Sequence, residues 1–211
     1  MDNKYVQDLT SRYPQLGSCG EDIEASIDLL KKTFTDKNRV FICGNGGSWC
    51  DSQHIAGELL KGFLKKRHAD ESFRNRAAQL FRDEGKYLAD NLQGGFPVIV
   101  LGGHEGFSTA YINDVKAELV YAQELFAQAA QGDTLICIST SANSANVYYA
   151  AMTAKLLGVS VILLCGSNEG RISSLADIII SVPEKETYKV QELHLPVYHA
   201  ICAALEDHFY E

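Results

Sequence analysis

Long hydrophobic runs are missing from this 211-residue chain. Nothing approaches the roughly 18 consecutive apolar residues of a membrane-spanning helix. Paired cysteines are missing as well. Cys19, Cys43, Cys50, Cys137, Cys165 and Cys202 are scattered without a CxxC pair, which removes zinc-finger and disulfide-scaffold architectures. Cys43, Cys137 and Cys165 sit in apolar runs and read as buried free thiols. Positive charge is also in short supply: 19 Lys+Arg face 27 Asp+Glu, for a formal net charge of −8. A general nucleic-acid binder shows a basic balance or stripe, so direct nucleic-acid binding is not expected. An acidic chain that takes up an anion must do so with local dipoles. The opening residues Met-Asp-Asn-Lys-Tyr lack the apolar core of a signal peptide, and the expected location is the cytoplasm.

What is present fits one α/β domain of ordinary globular composition, with 46% hydrophobic and 22% charged residues. Ile23, Ile27, Leu30 and Phe34 recur at helical spacing, so residues 1–36 are expected to supply a helix, and we assign its stripe to contact between subunits. Five short apolar runs follow: Arg39 to Cys43, Phe96 to Leu101, Thr134 to Ile138, Val159 to Leu164 and Ile178 to Val182. Helical patterns separate them, from Trp49 to Lys66, up to Leu157 after the third run, and from Lys189 to Phe209. Buried strands alternating with helices predict a five-stranded, mainly parallel sheet covered on both faces, a three-layer α/β sandwich. Residues 61–95 interrupt the rhythm as a charged helical insertion. Phe73, Ala77, Leu80, Phe81 and Leu88 keep helical spacing there, and Lys65-Lys66-Arg67 read as part of a solvated face.

Two strand-to-helix turns have the composition of anion sites. Gly44-Asn45-Gly46-Gly47-Ser48 provides glycines that let backbone N–H groups approach a ligand at a helix N-terminus. It matches neither GxGxxG nor GxxxxGK[ST], so no nucleotide cofactor is expected. Ser139-Thr140-Ser141-Ala142-Asn143-Ser144 places four hydroxyls in six residues, more than one helix cap requires. Hydroxyls and free N–H groups together can wrap a phosphate without Lys or Arg. His54 and Glu58 stand four apart in the first-turn helix and share a face. Gln191 and His199 lie eight apart, on roughly one side of the last helix, while His194 points about 140° away from His199 and reads as packing. His104 follows Gly102-Gly103 at a strand end, near the crevice of such a sheet.

These two turns, with His54-x-x-x-Glu58 and Gln191-x(7)-His199, resemble the sugar isomerase (SIS) domain family, and within it the phosphoheptose isomerase type. The resemblance runs from about residue 20 to 208. It implies a single doubly wound, flavodoxin-like domain and a homotetramer with sites between subunits. It also implies aldose–ketose isomerisation of sedoheptulose 7-phosphate or a related sugar phosphate through an enediol(ate). Carried over by position, Ser139, Thr140, Ser141 and Ser144 hold phosphate. Asn45, Gly46, Gly47, Ser48, Asn113, Asp114 and Gln191 meet the substrate, and Glu58 and His199 are the acid/base pair. His54, Glu58, Gln191 and His199 are the positions that hold a divalent metal, zinc foremost, in some members. The sequence departs from the family at Ala142, where glycine is usual, and at Tyr188, where those enzymes carry aspartate. The alternative is a non-catalytic SIS protein that binds phosphosugar and acts as a regulatory module or a partner of a replication initiator. The complete His54, Glu58, Gln191, His199 set favours the enzyme.

Overall fold

A computed structural model describes residues 3–168 and 170–210. The helices are α1 (Lys4–Arg12), α2 (Gly20–Thr35), α3 (Gly47–Leu60), α4 (Glu71–Asn91), α5 (Glu105–Asp114), α6 (Val120–Gln128), α7 (Ala145–Leu157) and α8 (Thr187–Phe209). The strands are β1 (Val40–Cys43), β2 (Val98–Val100), β3 (Thr134–Ile138), β4 (Ser160–Gly166) and β5 (Ile178–Val182). Every pairing is parallel and the strand order is β2-β1-β3-β4-β5. This is the flavodoxin-like order, with its switch point between β1 and β3.

Side chains along each strand alternate between two cores. Val40, Ile42, Ile136, Ile138, Ile162 and Leu164 pack under α2, α3 and α8, while Phe41, Leu135, Cys137, Val161 and Leu163 pack under α6 and α7. Both faces are therefore apolar, which is why the strands read as continuous hydrophobic runs. Cys43, Cys137 and Cys165 are buried free thiols.

Three features of the sequence reading change. The Ile23, Ile27 and Leu30 stripe is buried in the chain's own core and Phe34 stacks on Phe96 with ring centroids 4.5 Å apart, so that face is not available to a neighbouring subunit. Helix α3 stops at Leu60 and does not run on to Lys66. Arg67, expected in solvent, is fully buried and caps the end of α3 by donating from Nη2 to Glu58 O (2.9 Å) and from Nη1 to Leu59 O (2.8 Å). Its Nε donates to Glu206 Oε1 at 2.8 Å, and the Glu206 carboxylate also accepts the N–H groups of Phe63, Leu64 and Lys65.

The insertion forms a helical hairpin. Arg82 adopts φ 51°, ψ −123° in the middle of α4, and Arg74 Nη2 meets Asp90 Oδ1 at 2.8 Å. Sixteen residues of straight helix would hold those two about 24 Å apart. Gly85 makes the reversal possible, since a Cβ there would lie 1.9 Å from Ala77 O. Of the spaced apolar set only Ala77 is buried, and Phe73, Leu80, Phe81 and Leu88 face outward.

Candidate active site

The crevice opens at the switch point, where the turns after β1 and β3 face each other. In the first turn Gly46 has φ 54°, and Gly47 starts α3. A Cβ on Gly47 would sit 2.6 Å from the Gln191 amide, so glycine is what lets α8 close against this turn. Gln191 Nε2 lies 3.5 Å from Ser48 Oγ. Asn45 and Asn146 of α7 exchange two amide hydrogen bonds of 2.8 Å across the crevice, and Tyr121 donates to Gly44 O at 2.6 Å. Beside Asn45, an open cleft of about 460 Å³ is lined by Trp49, Gly102, Ser108, Ile112 and Tyr121 among others.

The second turn is held open by its own bonds. Ser139 Oγ and Ser144 Oγ lie 3.2 Å apart, and Ser141 Oγ accepts the Asn143 N–H at 3.3 Å. Ala142 is buried at φ 53°, a conformation that favours glycine, and its carbonyl accepts Ile172 N–H at 3.0 Å. Thr140 and Ser141 ring the mouth of α7, whose first N–H groups have no preceding turn to satisfy them. One cation stands close by: Arg171 donates its backbone N–H to Asn143 Oδ1, and its guanidinium lies over the Tyr148 ring at 4.3 Å.

The titratable cluster spans α3 and α8. His54 Nε2 is 3.3 Å from Glu58 Oε1 and 3.4 Å from His199 Nε2, so Glu58 and His199 converge on one nitrogen of the imidazole. Lys61 Nζ lies 3.3 Å from Glu58 Oε2. The Glu58 side chain is mostly buried and His54 is partly open to solvent. Burial, helped by the His54 ring, holds His199 below its ordinary pKa against the pull of Glu58. Behind His54, Tyr198 Oη lies 3.0 Å from Nδ1 and donates to Asp51 Oδ1 at 3.3 Å. Burial pushes the Asp51 carboxyl up, while the Tyr198 hydroxyl and His54 draw it back.

The sequence-derived residues thus fall into three groups. Asn45, Gly46, Gly47, Ser48 and Gln191 form one wall, Ser139, Thr140, Ser141 and Ser144 the phosphate-type turn, and His54, Glu58 and His199 the titratable cluster. Asn113 and Asp114 stand apart. They lie at the exposed end of α5 and hydrogen-bond each other at 2.8 Å, and among the described residues no hydrogen bond ties either to the two turns. The expected four-ligand metal set is not assembled. Gln191 is turned to Ser48, and among the described residues no three His, Cys, Asp or Glu side chains are grouped to hold a metal ion. His104 is held by the buried Glu124, which also accepts Gly102 N–H, and so braces the turn after β2. Asp51, Tyr198 and Asn146 were missed. Asp51 carried a signal, three residues before His54 on the same helix face. Tyr198 did not, because a neighbour of His199 points about 100° away from it.

Residues 93–166 match the SIS domain family. The phosphoheptose isomerase of Crocosphaera subtropica is 38% identical over 184 residues, 87% of this chain and 81% of that protein. That of Helicobacter pylori strain Shi470 is 34% identical over 194 residues, 92% of this chain and 88% of that protein. The solved phosphoheptose isomerase of Francisella tularensis superposes with a TM-score of 0.75 at 22% identity, over 95% of this chain and 93% of that one, which shows the shared fold. The protein is an isomerase of the aldose–ketose class. The chain belongs to the phosphoheptose isomerase family.

Proposed function

We propose that this enzyme interconverts the ketose and aldose forms of a sugar phosphate, with sedoheptulose 7-phosphate as the leading substrate. The observation that carries the reading is the convergence of Glu58 and His199 on His54 at 3.3 and 3.4 Å, on the pair of helices α3 and α8 that also brings Gln191 against Ser48 of the first turn. The phosphate rests on Ser139, Thr140, Ser141, Ser144 and the N-terminus of α7. That placement leaves the carbonyl end of the sugar to the α3–α8 cluster.

Glu58 takes the proton from the hydroxyl-bearing carbon next to the carbonyl. The C–H electron pair becomes the double bond of an enediol(ate), and His199 supplies a proton to the carbonyl oxygen. Return of the proton from Glu58 to the neighbouring carbon, with His199 taking one from the other oxygen, completes the transfer. A neutral His199, favoured by its burial, serves this two-way role at neutral pH. No step is assigned to a metal. A homotetramer is supported by the outward-facing Phe73, Leu80, Phe81 and Leu88, which solvent would otherwise cover at a cost.

The test is turnover of a panel of aldose and ketose phosphates by the purified protein, with and without chelator, alongside Glu58→Gln. Conversion of a heptose phosphate that Glu58→Gln abolishes supports the reading. Phosphosugar binding without conversion of any member returns the protein to the binding-module alternative. Loss of activity on chelation moves His54, Glu58 and His199 from acid–base work to metal ligation.

A further inference from the structure

We propose that Asp51 and Tyr198 are positioning residues for the isomerisation: a carboxylate–phenol relay that keeps a proton on Nδ1 of His54 and turns Nε2 toward Glu58 and His199. The proposal rests on the catalytic reading of that cluster.

Tyr198 is 2% exposed, so its hydroxyl has no bulk water to turn to. It touches two groups, Asp51 Oδ1 at 3.3 Å and His54 Nδ1 at 3.0 Å. Asp51 Oδ2 is buried and has no hydrogen-bond partner, so the carboxylate depends on that phenol for its one bond from a side chain. A phenol has a single proton and a carboxylate only accepts. If the proton goes to Asp51, the phenol oxygen is left to accept, and the group facing it must donate. Nδ1 of His54 is that group and therefore carries hydrogen. If the phenol gave its proton to His54 instead, the half-buried Asp51 would lose its bond at Oδ1 as well as lacking one at the buried Oδ2, the costlier arrangement.

The consequence reaches the reacting end of the ring. His54 is open enough to solvent for its ring to turn, and the edge-on Tyr198 ring, 5.4 Å away between centroids, is what braces it. With the ring's proton on Nδ1, Nε2 is left as the acceptor for the N–H of His199 Nε2 at 3.4 Å, while the Glu58 carboxylate, 3.3 Å from Nε2, finds its donor in Lys61 Nζ at 3.3 Å. Outer partners that orient a metal-ligating histidine are worth about 10–100-fold in metal affinity or activity, and the same scale is expected where the oriented ring serves proton transfer. The relay joins residues far apart in the chain, Asp51 and His54 on α3 and Tyr198 on α8, so it also couples the approach of the two helices to the state of the ring.

The test reads the tautomer directly. Histidine labelled with ¹⁵N in the full-length protein gives separate signals for protonated and bare ring nitrogens, and the His54 signals are assigned by their absence in His54→Asn. The wild type is expected to show a protonated Nδ1. In Asp51→Ala the phenol is freed to donate to the ring, and Nδ1 is expected to become bare. Tyr198→Phe, near-isosteric in the core, is expected to lower kcat by about 10–100-fold with little change in KM. A bare Nδ1 in the wild type, or an Asp51→Ala spectrum identical to it, overturns the relay. A normal kcat in Tyr198→Phe overturns its role in the reaction. Failure of the catalytic reading itself appears separately, as full activity in Glu58→Gln, and leaves the tautomer result standing. Should Tyr198→Phe fold poorly, Asp51→Ala carries both measurements.

Discussion

Removing the guanidinium of Arg67 should be among the most damaging single changes available to this fold. Arg67 and Glu206 are 0% and 1% exposed at their side chains and 2.8 Å apart. In Arg67→Met the methionine fills the stem but leaves the Glu206 charge buried without its counter-ion, a situation that typically costs 3–5 kcal/mol. The lower part of that range applies to the charge, because Glu206 keeps the N–H groups of Phe63, Leu64 and Lys65. Two further bonds, to Glu58 O and Leu59 O, are lost at about 1 kcal/mol each. The guanidinium also lies 5.0 Å from the Phe96 ring and 5.2 Å from that of Tyr210. The expected loss is therefore about 5–6 kcal/mol, which in a domain of this size lowers Tm by roughly 10–24 °C. Urea unfolding followed by circular dichroism measures it, and Arg67→Met/Glu206→Gln should recover part of the loss by removing the stranded charge. Stability within about 1 kcal/mol of wild type in Arg67→Met, or a double variant no better than the single, refutes the reasoning.

Three other outcomes follow from the site and the core. Thr140→Val and Ser141→Ala should each weaken sugar-phosphate binding by about 1.5–3 kcal/mol in calorimetry while folding normally, and unchanged affinity in both removes the phosphate assignment. Glu58→Gln should lower turnover by roughly 10²–10⁴ while ligand still binds, and wild-type turnover dismisses Glu58 as the base. His194 is fully buried with neither ring nitrogen bonded, and burial pushes its pKa down to about 4. Its unfolded pKa is near 6.5, so the unfolded chain binds the extra proton first. Stability should hold above pH 6.5 and fall by about 3 kcal/mol between pH 6.5 and 4, and a His194→Leu variant with the same acid limb would exclude this histidine as the cause.

The parts of the fold that could be read from the sequence are those set by local pattern. All five strands announced themselves as β-branched apolar runs because both sheet faces are buried, and α7 and α8 were visible from their spacing. The end of α3 was not visible. Lys61, Lys65 and Lys66 are acceptable helix formers, and what stops the helix is a contact with Glu206, more than a hundred residues further on. For the same reason Arg67 read as solvated: a charge in a basic run looks exposed until its partner is brought to it. The hairpin in the insertion hides in the same way, since its only local mark is Gly85, and what needs that glycine is the carbonyl of Ala77. At the site, His54, Glu58, Gln191 and His199 were legible through their spacing and family resemblance. The Tyr198–Asp51 relay was not, because it joins two helices through a residue with no helical phase relation to His199.

The strand order explains why the hydroxyl-rich turn and the titratable cluster are drawn from different layers. After β1 the chain turns into α3, which packs on the face that α2 and α8 cover; after β3 it turns into α7, which packs on the opposite face. The two turns therefore diverge from adjacent strands and leave a gap between them, bridged by the Asn45–Asn146 amides. Because α8 lies on the α3 side, the titratable groups Glu58, His54 and His199 are all drawn from that layer. The α7 side contributes hydroxyls and a helix N-terminus, the dipoles to which the proposed function assigns the phosphate although the chain as a whole is acidic. On the proposed function, phosphate and proton transfer are thus assigned to separate layers of the sandwich. A change confined to the α7 turn should alter affinity more than turnover, and one confined to α3 or α8 should alter turnover more than affinity. Gln191 is the exception, since its side chain touches Ser48 at the start of α3 while its helix carries His199.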